Sequence, residues 1–134
     1  MSPGYTPPMA RAPSRPPGSR ILVVDDSVDS AETLGELLKI WGYDVRLAHD
    51  GPGAVAAARD YRPEVVLLDI GLPGIDGFAV AAQLRKEGIG GRMLIALTGY
   101  GEKQDRDKAQ QVGFDHHLVK PIDPDTLQKL LASK

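Results

Sequence analysis

From Arg20 onward the chain alternates short apolar runs with apolar residues at helical spacing. Ile21-Leu22-Val23-Val24 is apolar at every position, as a strand covered on both faces must be. Leu34, Leu37, Leu38 and Trp41 fall at i, i+3, i+4 and i+7, which predicts a helix with one inward stripe, stopping at Gly42. Val45-Arg46-Leu47-Ala48 alternates apolar with polar or small residues and predicts an edge strand with one wet face. Ala54, Ala57, Ala58 and Tyr61 mark a second helix. Val65–Leu68 is the next fully apolar strand. A helix follows over about 78–87, with Phe78, Ala81 and Ala82 inward. Met93–Leu97 is a fourth strand, residues 101–112 a polar fourth helix, and Leu118-Val119 the end of a fifth strand. Asp123-Pro124 reads as an N-cap followed by proline at the first helical position, with Leu127, Leu130 and Leu131 facing inward beyond it. Repeated strand-then-helix units imply right-handed crossovers and a parallel sheet with helices on both faces.

Composition sets the limits of the domain. The chain has 134 residues, a size for one domain and a tail. Residues 1–19 belong to a proline-rich N-terminal stretch without acids, which predicts a disordered linker or leader. The folded domain then covers 20–134. The Pro13-x-x-Pro16 spacing of the N-terminal stretch is more simply a tether than a ligand for a proline-reading module. Hydrophobic residues make up 42% and charged residues 25%, ordinary for a globular protein. With no cysteine, a disulfide scaffold and a thiolate zinc site are excluded, and a cytoplasmic setting is the default. No apolar run is long enough for a membrane-spanning helix. The net charge of −2 recommends neither nucleic acid nor a membrane as partner.

Ligands of open α/β sheets bind beyond the carboxyl ends of the strands. Those ends carry Asp25 and Asp26, Asp69, Thr98 and Lys120, in chain order. Three carboxylates converging in one pocket repel each other and call for a hard cation. Oxygen donors without His or Cys favour Mg²⁺ over zinc. A carboxylate there can attack phosphorus to give an acyl phosphate, while an ammonium and a hydroxyl stabilise the phosphoryl oxygens. Asp and Thr after strands also serve as plain caps. Complementary chemistry at four strand ends at once makes coincidence a poor account.

From Arg20 the chain resembles the receiver domains of bacterial two-component response regulators. The resemblance is carried by Ile21-Leu22-Val23-Val24-Asp25-Asp26, Leu67-Leu68-Asp69, Leu72-Pro73-Gly74-Ile75-Asp76-Gly77, Leu97-Thr98-Gly99 and Leu118-Val119-Lys120-Pro121. The spacings of 43, 29 and 22 residues between Asp26, Asp69, Thr98 and Lys120 suit that family. It implies a flavodoxin-like, doubly wound α/β fold, a five-stranded parallel sheet ordered 2-1-3-4-5. It also implies that Asp69 accepts a phosphoryl group from a phosphohistidine on a histidine kinase or histidine phosphotransfer protein. Asp26, Asp69 and the Gly71 carbonyl would ligate Mg²⁺ directly, and Asp25 mainly through water. Lys120 would pair with Asp69 and then with the phosphoryl group, and Thr98 would move toward it as the switch. The Lys120–Pro121 bond would be cis. Transfer and autodephosphorylation would be self-catalysed, and a phosphorylation-dependent dimer is allowed.

The chain departs from the family pattern at His117, where a Tyr or Phe usually rotates on activation, and at Gly71, which offers no side chain to orient water. Tyr100 would shield the phosphoryl group, so slow hydrolysis is expected. His116 and His117 are strand neighbours pointing to opposite faces and cannot chelate together, while His49 reads as a solvated residue at the end of the edge strand. Three contexts fit: a stand-alone regulator, a receiver lacking its effector, or the receiver of a hybrid sensor kinase, toward which the wording of residues 114–121 leans. The rival reading is a small Mg²⁺-dependent phosphohydrolase with an aspartyl nucleophile. Such enzymes usually carry an acid two residues after the nucleophile, where this chain has Gly71. A flavin-binding domain would need a phosphate loop after strand one, which is missing.

Overall fold

The structure is a computed structural model that describes residues 19–70, 77–99 and 113–132. Five strands form one sheet: β1 (Arg20–Val24), β2 (Asp44–Ala48), β3 (Val65–Asp69), β4 (Met93–Thr98) and β5 (His116–Val119). Their order is β2-β1-β3-β4-β5 and every pairing is parallel. The sequence implied this order, and burial explains it. The apolar strands β3 and β4 are buried along their whole length, and β1 is buried beyond Arg20. In β2 exposed Asp44 and Arg46 alternate with half-buried Val45 and Leu47, so it sits at an edge.

Each sheet face carries its own core. Leu22, Val24, Val66, Leu68, Leu94 and Ala96 pack against α2 (Gly51–Tyr61) and α3 (Gly77–Glu87). Ile21, Val23, Val65, Leu67, Ile95 and Leu97 pack against α1 (Val28–Ile40) and α4 (Pro124–Ala132). Asp50 caps α2 by accepting from the Gly53 amide, and Asp123 caps α4 through the Thr126 amide and hydroxyl. Among the described residues no helix is long and apolar enough to cross a membrane.

Two helices are rotated from the expected stripe. In α1 the buried residues are Ala31, Gly35 and Leu38, leaving Leu34, Leu37 and Trp41 half-buried. The close approach to β2 is the reason: a Cβ on Gly35 would stand 3.2 Å from Leu47 Cδ2, so the smallest residues face the sheet. In α3 the buried stripe is Gly77, Val80, Ala81 and Leu84, while Phe78 is half-buried and Ala82 exposed. Val80 and Leu84 together hide more apolar surface than Ala82 could. Asp69 and Thr98 are the last residues of their strands rather than the first beyond them. The expected fourth helix over 101–112, the leader over 1–18, Gly71 and Tyr100 lie outside the described residues.

Gly91 locks the entry to β4. Its φ is +76°, and an added Cβ would lie 2.5 Å from the Glu64 carbonyl oxygen and 2.8 Å from the carbon. That same oxygen accepts from the amides of Arg92 at 2.8 Å and Met93 at 3.2 Å. Gly91→Ala therefore combines a left-handed backbone with a collision against backbone. It should cost about 2–3 kcal/mol and lower the melting temperature by roughly 10 °C. Gly88→Ala, at φ +71° but with open space around the new Cβ, should cost only about 1 kcal/mol. Equal losses for the two in thermal unfolding would rule out the contact with Glu64 as the cause.

Candidate functional site

Strand register brings the reactive residues to one level. Val24 pairs with Leu68, so Asp25 comes alongside Asp69, which pairs with Leu97. Thr98 pairs with Val119, and Lys120 follows at once. The Lys120 backbone amide donates to the Thr98 carbonyl at 2.7 Å, and the Lys120–Pro121 peptide is cis, as the resemblance implied.

The centre of the cluster is Lys120 between two carboxylates. Its ammonium donates to Asp69 Oδ2 and, at 3.3 Å, to Asp25 Oδ2. Asp69 and Asp25 are almost fully buried, at 1% and 3% relative exposure. Burial pulls the Lys120 pKa down, but the hydrogen bond and charge of Asp69, joined by those of Asp25, outweigh it and leave the pKa raised. Thr98 is also buried, and its hydroxyl donates to the Leu118 carbonyl at 3.4 Å. Asp26 is half-buried at the start of the loop into α1.

Loop geometry fixes Asp25 from several sides. Its amide donates to the Ala48 carbonyl at 3.0 Å, and its Oδ1 accepts from the Ser27 amide at 2.9 Å. Ser27 is the N-cap of α1, its hydroxyl accepting from the Ser30 amide. His49 is half-buried, with Nδ1 3.0 Å from the Asp25 carbonyl oxygen, so the expectation of a solvated His49 is corrected. The pairing of Val24 with Ala48 sets residue 49 beside residue 25 and so makes this contact. On β5, His116 is exposed and His117 half-buried, as opposite faces of a strand require.

The donors suit a hard cation. All are oxygens, and the two buried carboxylates of Asp25 and Asp69 share a single ammonium, leaving residual negative charge. Among the described residues no group of three or more acidic, His or Cys side chains is gathered that could hold a metal ion, so the expected convergence of Asp25, Asp26 and Asp69 in one pocket is not seen. Mg²⁺ keeps several of its waters and takes few protein oxygens, so the carboxylates of Asp25 and Asp69 are donors of the right kind for it. Beside Asp25 and Lys120 a cavity of about 580 Å³ opens between α1 and α4, walled by Leu34, Leu37, Leu97 and Ile122.

Residues 21–132 match the family model for the response regulator receiver domain. PilH of Pseudomonas aeruginosa is 36% identical over 114 residues, covering 84% of this chain and 94% of that protein. The probable transcriptional regulator ycf27 of Pyropia yezoensis is 38% identical over 114 residues, covering 85% of this chain but 46% of its own length. The chain thus spans about half of that relative. Among solved structures, the chemotaxis protein CheY4 of Vibrio cholerae superposes with a TM-score of 0.80 at 30% identity, covering 85% of this chain and 96% of that one. The chain belongs to the response regulator receiver domains, the phosphorelay signalling modules of two-component systems. Nothing in these likenesses favours the phosphohydrolase reading.

Proposed function

We propose that Asp69 is the phosphoacceptor, taking its phosphoryl group from a phosphohistidine on a histidine kinase or histidine phosphotransfer protein. The observation that carries this reading is the Lys120 ammonium held against Asp69 at the end of β3. A carboxylate oxygen of Asp69 attacks phosphorus, the new P–O bond forming as the P–N bond breaks and the imidazole leaves. Lys120 shifts from the carboxylate to the phosphoryl oxygens without losing its contact with Asp25. Thr98, whose hydroxyl is only weakly held by Leu118, turns toward the same oxygens and carries the change to β5. Mg²⁺ would be held by Asp26, Asp69 and the Gly71 carbonyl, with Asp25 acting through water. When bound it supplies neutralisation of charge between the attacking carboxylate and the phosphoryl oxygens. Residues 20–134 act as the receiver and 1–19 as a tether. A cytoplasmic setting and a hybrid-kinase context complete the reading.

Acetyl phosphate with Mg²⁺ should add one acid-labile, hydroxylamine-labile phosphoryl group per chain. Borohydride reduction followed by peptide mapping should place it at Asp69. A label mapped to Asp25 or Asp26 would overturn the assignment.

A further inference from the structure

We propose that His49 is a positioning residue that aims Asp26 by holding the peptide between Asp25 and Asp26. The inference rests on the reading of Asp26 as a cation ligand. A carbonyl oxygen only accepts, so at 3.0 Å His49 Nδ1 carries the hydrogen and donates it to Asp25. That oxygen belongs to the planar unit that also contains the Asp26 amide and Cα. Fixing the carbonyl therefore fixes the direction in which the Asp26 backbone leaves β1.

Further hydrogen bonds and an ion pair hold Asp25 itself. The Asp25 amide is tied to Ala48, and the Asp25 carboxylate is held by the Ser27 amide and Lys120. The contacts with Ala48 and Lys120 would keep the Asp25 side chain in place even if the following peptide turned. Loss of the imidazole should thus resemble a partial loss of Asp26 and leave the Asp25–Lys120–Asp69 contacts intact. His49 is itself placed by the end of β2, whose Ala48 pairs with Val24.

The test is calorimetric titration of the full chain with Mg²⁺ for wild type, His49→Ala, His49→Asn and Asp26→Ala. In His49→Asn the amide nitrogen sits where Nδ1 was and can donate to the same carbonyl. His49→Ala should weaken Mg²⁺ binding about fivefold, what one ordinary hydrogen bond is worth, while His49→Asn should stay within about twofold of wild type by the same reasoning. Labelling by acetyl phosphate should need correspondingly more Mg²⁺ in His49→Ala but reach the wild-type rate at saturation. If His49→Ala lowers thermal stability and leaves Mg²⁺ affinity untouched, the imidazole only packs and the inference fails. Equal weakening in the Ala and Asn variants also overturns it. If Asp26→Ala leaves Mg²⁺ affinity unchanged, the cation-site reading fails first and takes the inference with it.

Discussion

Asp69→Asn should abolish phosphoryl uptake and leave the domain as stable as wild type or more so. The amide nitrogen and oxygen are poor nucleophiles, so no acyl phosphate forms and the intact mass stays unchanged with acetyl phosphate and Mg²⁺. The stability half of the expectation comes from charge. Asp69 is 1% exposed and shares one ammonium with the equally hidden Asp25, so folding buries two negative charges against one positive. An amide removes one carboxylate desolvation while Lys120, whose side chain is 28% exposed, keeps Asp25 at 3.3 Å and some water. Replacing part of a crowded ionic cluster by a neutral group is commonly neutral to stabilising, here by zero to about 2 kcal/mol. Urea unfolding in EDTA at neutral pH checks it. A loss beyond about 1 kcal/mol would mean that the Asp69–Lys120 pair is a net source of stability, contrary to the usual balance for buried ion pairs.

Most of the fold was legible because burial leaves a simple mark on strands. β1, β3 and β4 are apolar at successive positions since both sheet faces are covered, and β2 alternates because it lies at an edge. Helix faces were less legible. Spacing alone marked Leu37 and Trp41 in α1, but the sheet selects the face that lets the backbones approach, and that face holds Ala31 and Gly35. Apolar periodicity finds that a helix is amphipathic; it does not reveal how closely the helix packs.

The candidate site divides in the same way. Asp25, Asp69, Thr98 and Lys120 could be anticipated because parallel strands end together, and register puts them at one level. Which of Asp25 and Asp26 joins Asp69 on the ammonium could not. Asp25 and Asp26 are adjacent in sequence, yet Asp25 turns into the cluster and is buried while Asp26 stays half-buried. The hydrogen bond from His49 to a backbone carbonyl was missed for another reason. It recognises a main-chain atom, so no residue type at position 25 advertises it.

Lys120→Met should damage both chemistry and folding, and the two can be measured apart. The ammonium is the positive group in contact with Asp69, and loss of a donor to developing phosphoryl charge should slow uptake by about 100- to 1,000-fold. The folding cost arises because Met leaves Asp25 and Asp69 buried without their cation. Breaking a buried pair costs about 3–5 kcal/mol, and partial exposure of Lys120 points to the lower end, about 3 kcal/mol. Its pH dependence identifies the cause. The Lys120 pKa is raised in the folded state, so its contribution is complete below the unfolded value and is lost only as pH rises through the folded one. The gap between wild type and Lys120→Met should therefore be level through neutral pH and close only above roughly pH 10–11. Urea midpoints in EDTA across that range give the profile. If the gap above roughly pH 11 equals that at pH 7, the loss comes from packing of the lysine stem, and the charge account of this cluster is wrong.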